Sequence, residues 1–130
     1  MTKTMPSEPA LLSTFGDILK TLVDSVPGAV GAVFSDWEGE PVDQFAHIPP
    51  LDIQLVGAHW GVVWSQANLR FLARGLGAVE ELMIEGERAI VLVRSVSEGY
   101  FVVLATKRDA HLATARRELE RGARTLLGEM

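Results

Sequence analysis

The sequence predicts an α+β domain: three helices and a five-stranded antiparallel sheet in the order α-β-β-α-β-β-β-α. Three observations carry this. Apolar residues recur at helical spacing in three segments, from about Ala10 to Ser25, from Leu51 to Arg74, and beyond Asp109. Between them lie five short segments that are either densely apolar or alternating. Glycine-containing turns of hairpin length join these segments within each group, which implies antiparallel pairing, and the long middle helix carries the chain from the first strand group to the second.

A length of 130 residues suits one domain with a real core and is too short for two of ordinary size. The composition, 48% hydrophobic and 22% charged, is that of a globular chain. The absence of cysteine excludes a disulfide framework, a thiolate zinc site and a cysteine nucleophile, and suits a cytoplasmic protein. No apolar stretch follows Lys3 in MTKTMPSEPA, so no secretory signal is visible. Apolar runs stop well short of the ~20 residues a membrane helix needs. The net charge of −5 argues against general nucleic-acid affinity. Charge is uneven: from Lys107 onward six basic and four acidic residues give +2, leaving −7 on the remainder, as expected of a solvated helix face.

Residues 1–9 read as a short disordered lead, and residues 10–130 as the single domain. In the first helix Leu11, Phe15, Ile18, Leu19, Leu22 and Val26 turn inward while Asp17, Lys20 and Asp24 face out, and Pro27-Gly28 stops it. Ala29 to Ser35 is nearly all apolar and reads as a central strand buried on both faces. Asp36-Trp37-Glu38-Gly39 turns the chain back into Pro41 to Ala46. Asp36, Glu38, Glu40 and Asp43 make this hairpin the most acidic local patch. Pro50 suits the first turn of the long helix, and Gly75-Leu76-Gly77 ends it. Three strands follow, Ala78 to Glu85, Arg88 to Val96 and Tyr100 to Thr106, with turns at Glu85-Gly86-Glu87 and Ser97-Glu98-Gly99. Asp109 is the expected N-cap of the last helix, whose stripe is Leu112, Ala115, Leu119, Ala123 and Leu126.

The middle helix is unusual. Leu51, Leu55, Ala58, Val62, Leu69 and Ala73 form one apolar stripe; Ile53, Val56, Trp60, Val63, Trp64, Ala67 and Phe71 form a second. An ordinary surface helix buries one stripe. Two polar seams separate them: Asp52, His59, Gln66 and Arg70 on one side, and Gln54, Gly57, Gly61, Ser65 and Asn68 on the other. Glycine inside a helix costs roughly 1 kcal/mol against alanine, so its double use predicts a close backbone approach. The helix is expected to be covered on one side by its own sheet and on the other by a second protein surface. A helix sandwiched within one chain is the alternative. Which stripe meets the sheet stays open.

The segments PGAVGAVFSDWEGEPV (Pro27 to Val42), ELMIEGERAIVLVRSV (Glu81 to Val96) and YFVVLATKRDAHLATARRELER (Tyr100 to Arg121), in this order around a long helix, resemble the roadblock (dynein light chain) family, bacterial gliding-motility regulators included. The resemblance runs from Leu11 to about Leu127, with a departure at Ala113, where the family commonly has glycine. It implies a roadblock/profilin-like fold with the first and last helices on one sheet face and the middle helix on the other. It implies a homodimer that pairs third strands edge to edge, through Glu80, Leu82, Met83 and Ile84, and sets the middle helices side by side. Gly57, Trp60, Gly61, Trp64, Ser65, Asn68 and Arg70 are the candidate dimer and partner interface on that helix. It also implies a small Ras-like GTPase as partner, regulated through its own switch loops without a catalytic arginine from the regulator.

No catalytic constellation accompanies this. His47, His59 and His111 are scattered without ligand spacing, so no metal site is expected. Gly75-x-Gly77 lacks a third glycine and stands before a strand, which makes it a helix cap rather than a dinucleotide loop. Neither a phosphate-binding Gly-x-x-x-x-Gly-Lys-Ser/Thr loop nor a Gly-x-Ser-x-Gly nucleophile elbow occurs. The carboxylates Glu80, Glu81, Glu85 and Glu87 fit a charged edge strand that resists unwanted pairing. For Trp60 and Trp64, core packing competes with partner anchoring. Arg70 and Arg74 are either partner contacts or solvated. The sequence thus points to a non-enzymatic, cofactor-free GTPase regulator, with a dimeric scaffold that leaves GTP turnover unchanged as the alternative.

Overall fold

The computed structural model describes residues 14–130. The expected lead at residues 1–9, and the start of the first helix, lie outside them. The elements are α1 (Thr14–Asp24), β1 (Ala29–Asp36), β2 (Pro41–Ala46), α2 (Pro50–Ala73), β3 (Glu81–Glu85), β4 (Ala89–Ser97), β5 (Tyr100–Lys107) and α3 (Leu112–Gly128). The strands form one sheet in the order β2-β1-β5-β4-β3, antiparallel at each pairing. This is the predicted order and sheet.

The strands that read as wholly apolar are interior because both their faces are covered. Successive side chains point to opposite faces, so adjacent residues feed separate cores. Phe34, Leu92 and Leu104 meet Leu19 and Leu22 of α1 and Leu119 and Leu126 of α3 in one core. Val33, Val93, Val103 and Phe101 meet Ile53 and Trp64 of α2 in the other. Full burial of each such leucine contributes about 1.5–3 kcal/mol. α2 lies over β2, β1 and β5. The β4–β3 half of that sheet face stays outside its main contact, and Leu82, Ile84 and Val91 there are only half-buried.

Two local expectations are corrected. The third strand is Glu81–Glu85 and not Ala78 to Glu85. Its approach is drawn away by α2: the Val79 N–H donates to Asn68 Oδ1 at 2.8 Å, and the Val79 side chain is buried in the α2-side core. The last helix is capped by His111 rather than Asp109, with His111 Nδ1 accepting from the Thr114 N–H at 3.3 Å. Asp109 instead lies in the preceding turn, which the Ala110 N–H closes onto the Lys107 carbonyl at 3.2 Å.

Candidate functional site

Side-chain bulk decides which face of α2 meets the sheet. The glycine seam turns inward. A Cβ at Gly57 would stand 2.5 Å from Val33 Cγ1, and one at Gly61 would stand 2.5 Å from Phe101 Cζ. Neither space exists, so at these two positions only glycine lets the helix settle onto β1 and β5. Trp64 then stacks on Phe101, with ring centroids 5.5 Å apart and planes at 24°. Ile53 is buried at the start of the helix, next to Gly31. The second stripe therefore belongs to the sheet side: Ile53 and Trp64 are buried, and Val56, Trp60, Val63 and Ala67 half-buried.

This relocates the expected contact. The close approach allowed by Gly57 and Gly61 is made with the chain's own sheet, and Trp64 is a core residue. Ser65 donates from Oγ to the Trp37 carbonyl at 3.4 Å, and Asn68 holds Val79, so both side chains tie α2 to its own chain. Of the candidate helix residues, Trp60 is half-buried against the α2-side core, with the His59 ring nearly perpendicular to it at a centroid distance of 5.3 Å, and Arg70 is exposed. The structure does not bring Arg70 together with the glycine seam.

The first stripe is what remains outside. Leu51 is 64% exposed, Leu55 59%, Val62 54% and Leu69 66%. The seam of Asp52, His59, Gln66 and Arg70 runs exposed beside it. In the last turn of α2 Phe71 and Leu72 are exposed as well, as is Leu76 just past its end. Isolated apolar residues on a surface are ordinary; these four instead line up along one face of the helix. The sequence shows the row, yet nothing in periodicity alone sets which stripe the sheet takes, and the outer one is absent from the candidate interface above.

The edge strand presents a second open surface. β3 pairs only with β4, and its other edge is free among the described residues. Met83 stands opposite Leu92 and so points toward the α1/α3 face, exposed; Leu82 and Ile84 stand opposite Val93 and Val91 and point toward the α2 face. Glu80 precedes the strand, with its carbonyl accepting from the Ser95 N–H at 3.0 Å. The flanking carboxylates are held by arginines: Glu81 by Arg94 at 3.4 Å and Arg116 at 2.8 Å, and Glu85 by Arg108 at 2.8 Å. Among the described residues no group of three or more histidine or acidic side chains is placed to hold a metal, and no helix is long and apolar enough to cross a membrane.

No family model matches the sequence, and no curated protein matches it. Solved structures do. A roadblock/LC7 domain from Streptomyces avermitilis superposes with a TM-score of 0.79 at 18% identity, over 86% of this chain and 93% of that one. The fold is that of a roadblock domain. MglB of Myxococcus xanthus shares it with a TM-score of 0.81 at 11% identity, over 90% and 94% of the two chains. An MglB described in a tetrameric arrangement does so at 0.80 and 18%, over 94% and 91%. Among the described residues α2 is the one helix on its sheet face, and none of their other elements covers its outer stripe.

Proposed function

We propose that the protein is a non-enzymatic, cytoplasmic homodimer that binds a small Ras-like GTPase through the α2 side of the sheet and modulates its nucleotide cycle. The observation that carries this is the exposed aliphatic row Leu51, Leu55, Val62 and Leu69 on a helix whose opposite face is already packed. The likeness of fold to MglB, one form of which is described as tetrameric, supports self-association. The partner class rests on the sequence resemblance to the roadblock family.

Two copies join at the free edge of β3. Both α2 helices lie on one side of the continuous sheet only if residues that share a face stand opposite each other, because a slip of one residue exchanges the faces. Met83 opposite its own copy meets that condition and places Leu82 opposite Ile84. The half-buried flank of α2, with Val56, Trp60 and Val63, then turns toward the second helix and the open β4–β3 surface. The aliphatic row stays available to the GTPase.

The deciding experiment is co-elution with the small Ras-like GTPases of the same cell, each loaded with GTP analogue or GDP. Complex formation in one nucleotide state is expected, and a turnover assay then supplies the sign of the effect. A complex that leaves turnover unchanged makes the protein a scaffold. A folded dimer that binds none of them in either state overturns the reading.

A further inference from the structure

The turn between β1 and β2 holds a tryptophan in water. Trp37 is 60% exposed, although its backbone is braced on two sides. Its N–H donates to the Gly99 carbonyl at 2.9 Å, and its carbonyl accepts from Ser65 Oγ on α2 at 3.4 Å. Within the turn, Asp36 Oδ1 accepts from the N–H groups of Glu38 and Glu40 at 2.9 and 3.0 Å. The indole lies beside Gly99, where an added Cβ would stand 3.6 Å from Cδ1. On a braced backbone a tryptophan has only its two side-chain torsions to order on binding, which suits it to anchor an interface.

The turn is continuous with the outer stripe of α2. Gly39 packs on Ala58, whose Cα would stand 3.3 Å from an added Cβ, and Ser65 meets Trp37. Ala58 and Ser65 flank Val62 at helical spacing, so the tryptophan and the aliphatic row border one another. The rim is acidic: Glu38, Glu40 and, on the adjoining β4–β5 turn, Glu98 are exposed, and none forms an ion pair among the described residues.

We propose that Trp37 anchors the partner face, seating in an apolar socket rimmed by lysine or arginine on the GTPase. The charge selects this occupant. A second copy of the chain docked by a two-fold axis would set the acidic rim against itself. An anionic membrane surface would repel it. The inference rests on the GTPase-binding reading and adds to it a site outside α2, a hot spot and a charge for the partner.

The test measures affinity for the co-eluting GTPase, loaded with GTP analogue, at low and at physiological salt. Trp37→Ala is expected to weaken binding about 30-fold or more, the loss typical of an anchoring tryptophan, and Trp37→Phe less. Glu38→Lys with Glu40→Lys should weaken binding at low salt and flatten its salt dependence. Unchanged melting temperature and dimer mass show that each variant is folded. Trp37→Ala binding within about twofold of wild type overturns the inference and leaves the GTPase reading standing. So does conversion of that variant to monomers, which would make the patch a contact between copies. Wild type that binds no GTPase in either nucleotide state overturns both.

Discussion

The two faces of the sheet are finished differently. On one, α1 and α3 each turn a single apolar stripe inward and show water their charges, Asp17, Lys20 and Asp24 on α1 and Arg116, Arg117 and Arg124 on α3. On the other, α2 is apolar within and without. It attaches to the sheet through a glycine seam and one stacked tryptophan, and it leaves leucine and valine in solvent. On the proposed reading, the contrast separates residues whose task ends with folding from residues whose task begins there. Substitutions on the two sides of α2 should therefore fail in different ways.

The largest effect is expected on the inside. Gly61→Leu drives a branched side chain into the Phe101 ring and should cost about 3 kcal/mol of stability, read as a lower midpoint in chemical denaturation. Gly61→Glu adds a buried carboxylate and should lower yield before it alters oligomeric state. Unfolding at the wild-type midpoint would mean that the seam is not packed on β5. The outside should show the reverse. Leu55→Asp with Val62→Asp changes exposed positions, so stability should stay within about 1 kcal/mol, while GTPase binding falls about 10-fold or more. Calorimetric titration beside a melting curve measures both, and intact binding would remove the aliphatic row from the partner face.

Most of the architecture was legible because periodicity and turn residues act locally. Pro27-Gly28, Pro50 and the Gly75–Gly77 pair marked element ends, and the apolar runs of β1, β4 and β5 marked the interior of the sheet. The site was half legible. Two stripes and a glycine column are properties of the helix alone, and the sequence displays them. Which side the column serves depends on Phe101 and Val33, about 40 and 24 residues from the glycines they meet, so the decision is tertiary. A small residue on a helix admits any close neighbour, and the sheet supplied one before a second helix was required. The same tertiary pull shortened β3, where Asn68 takes the Val79 N–H, and spacing within Ala78 to Glu85 carries no trace of it.

That hydrogen bond offers a smaller test of how α2 is tied down on its open side. Asn68→Ala leaves the Val79 N–H without its acceptor in a part-buried position and should cost about 1–2 kcal/mol. Asn68→Asp keeps an acceptor and should lose less. Thermal unfolding of the two variants distinguishes them. Equal losses would show that side-chain packing, rather than the hydrogen bond, secures the end of the helix.

The gentlest perturbation reads the register of the proposed dimer. The chain contains no cysteine, so Met83→Cys introduces a single thiol at an exposed point of the free edge. Its effect on stability should stay within about 0.5 kcal/mol. Opposed residues of an antiparallel pair have Cα atoms about 4.5–5.5 Å apart, inside the span a disulfide bridges, whereas positions displaced by two residues fall beyond it. With Met83 opposite its copy, mild oxidation should give a covalent dimer from Met83→Cys and not from Leu82→Cys or Ile84→Cys. Cross-linking through either neighbour would move the two-fold axis along β3 by one residue, still with both α2 helices on one side. Each such residue also shifts how the carboxylates meet: about Met83, Glu81 of one copy faces Glu85 of the other, and the arginines at 2.8 Å from each already offset that repulsion. About Ile84, Glu81 would instead face Glu87, which has no ion pair among the described residues. The arginine pairs thus favour the register centred on Met83 over that centred on Ile84; about Leu82, Glu81 would face Met83 and no two carboxylates of β3 would oppose, so the cysteines report whether packing or electrostatics decides the pairing.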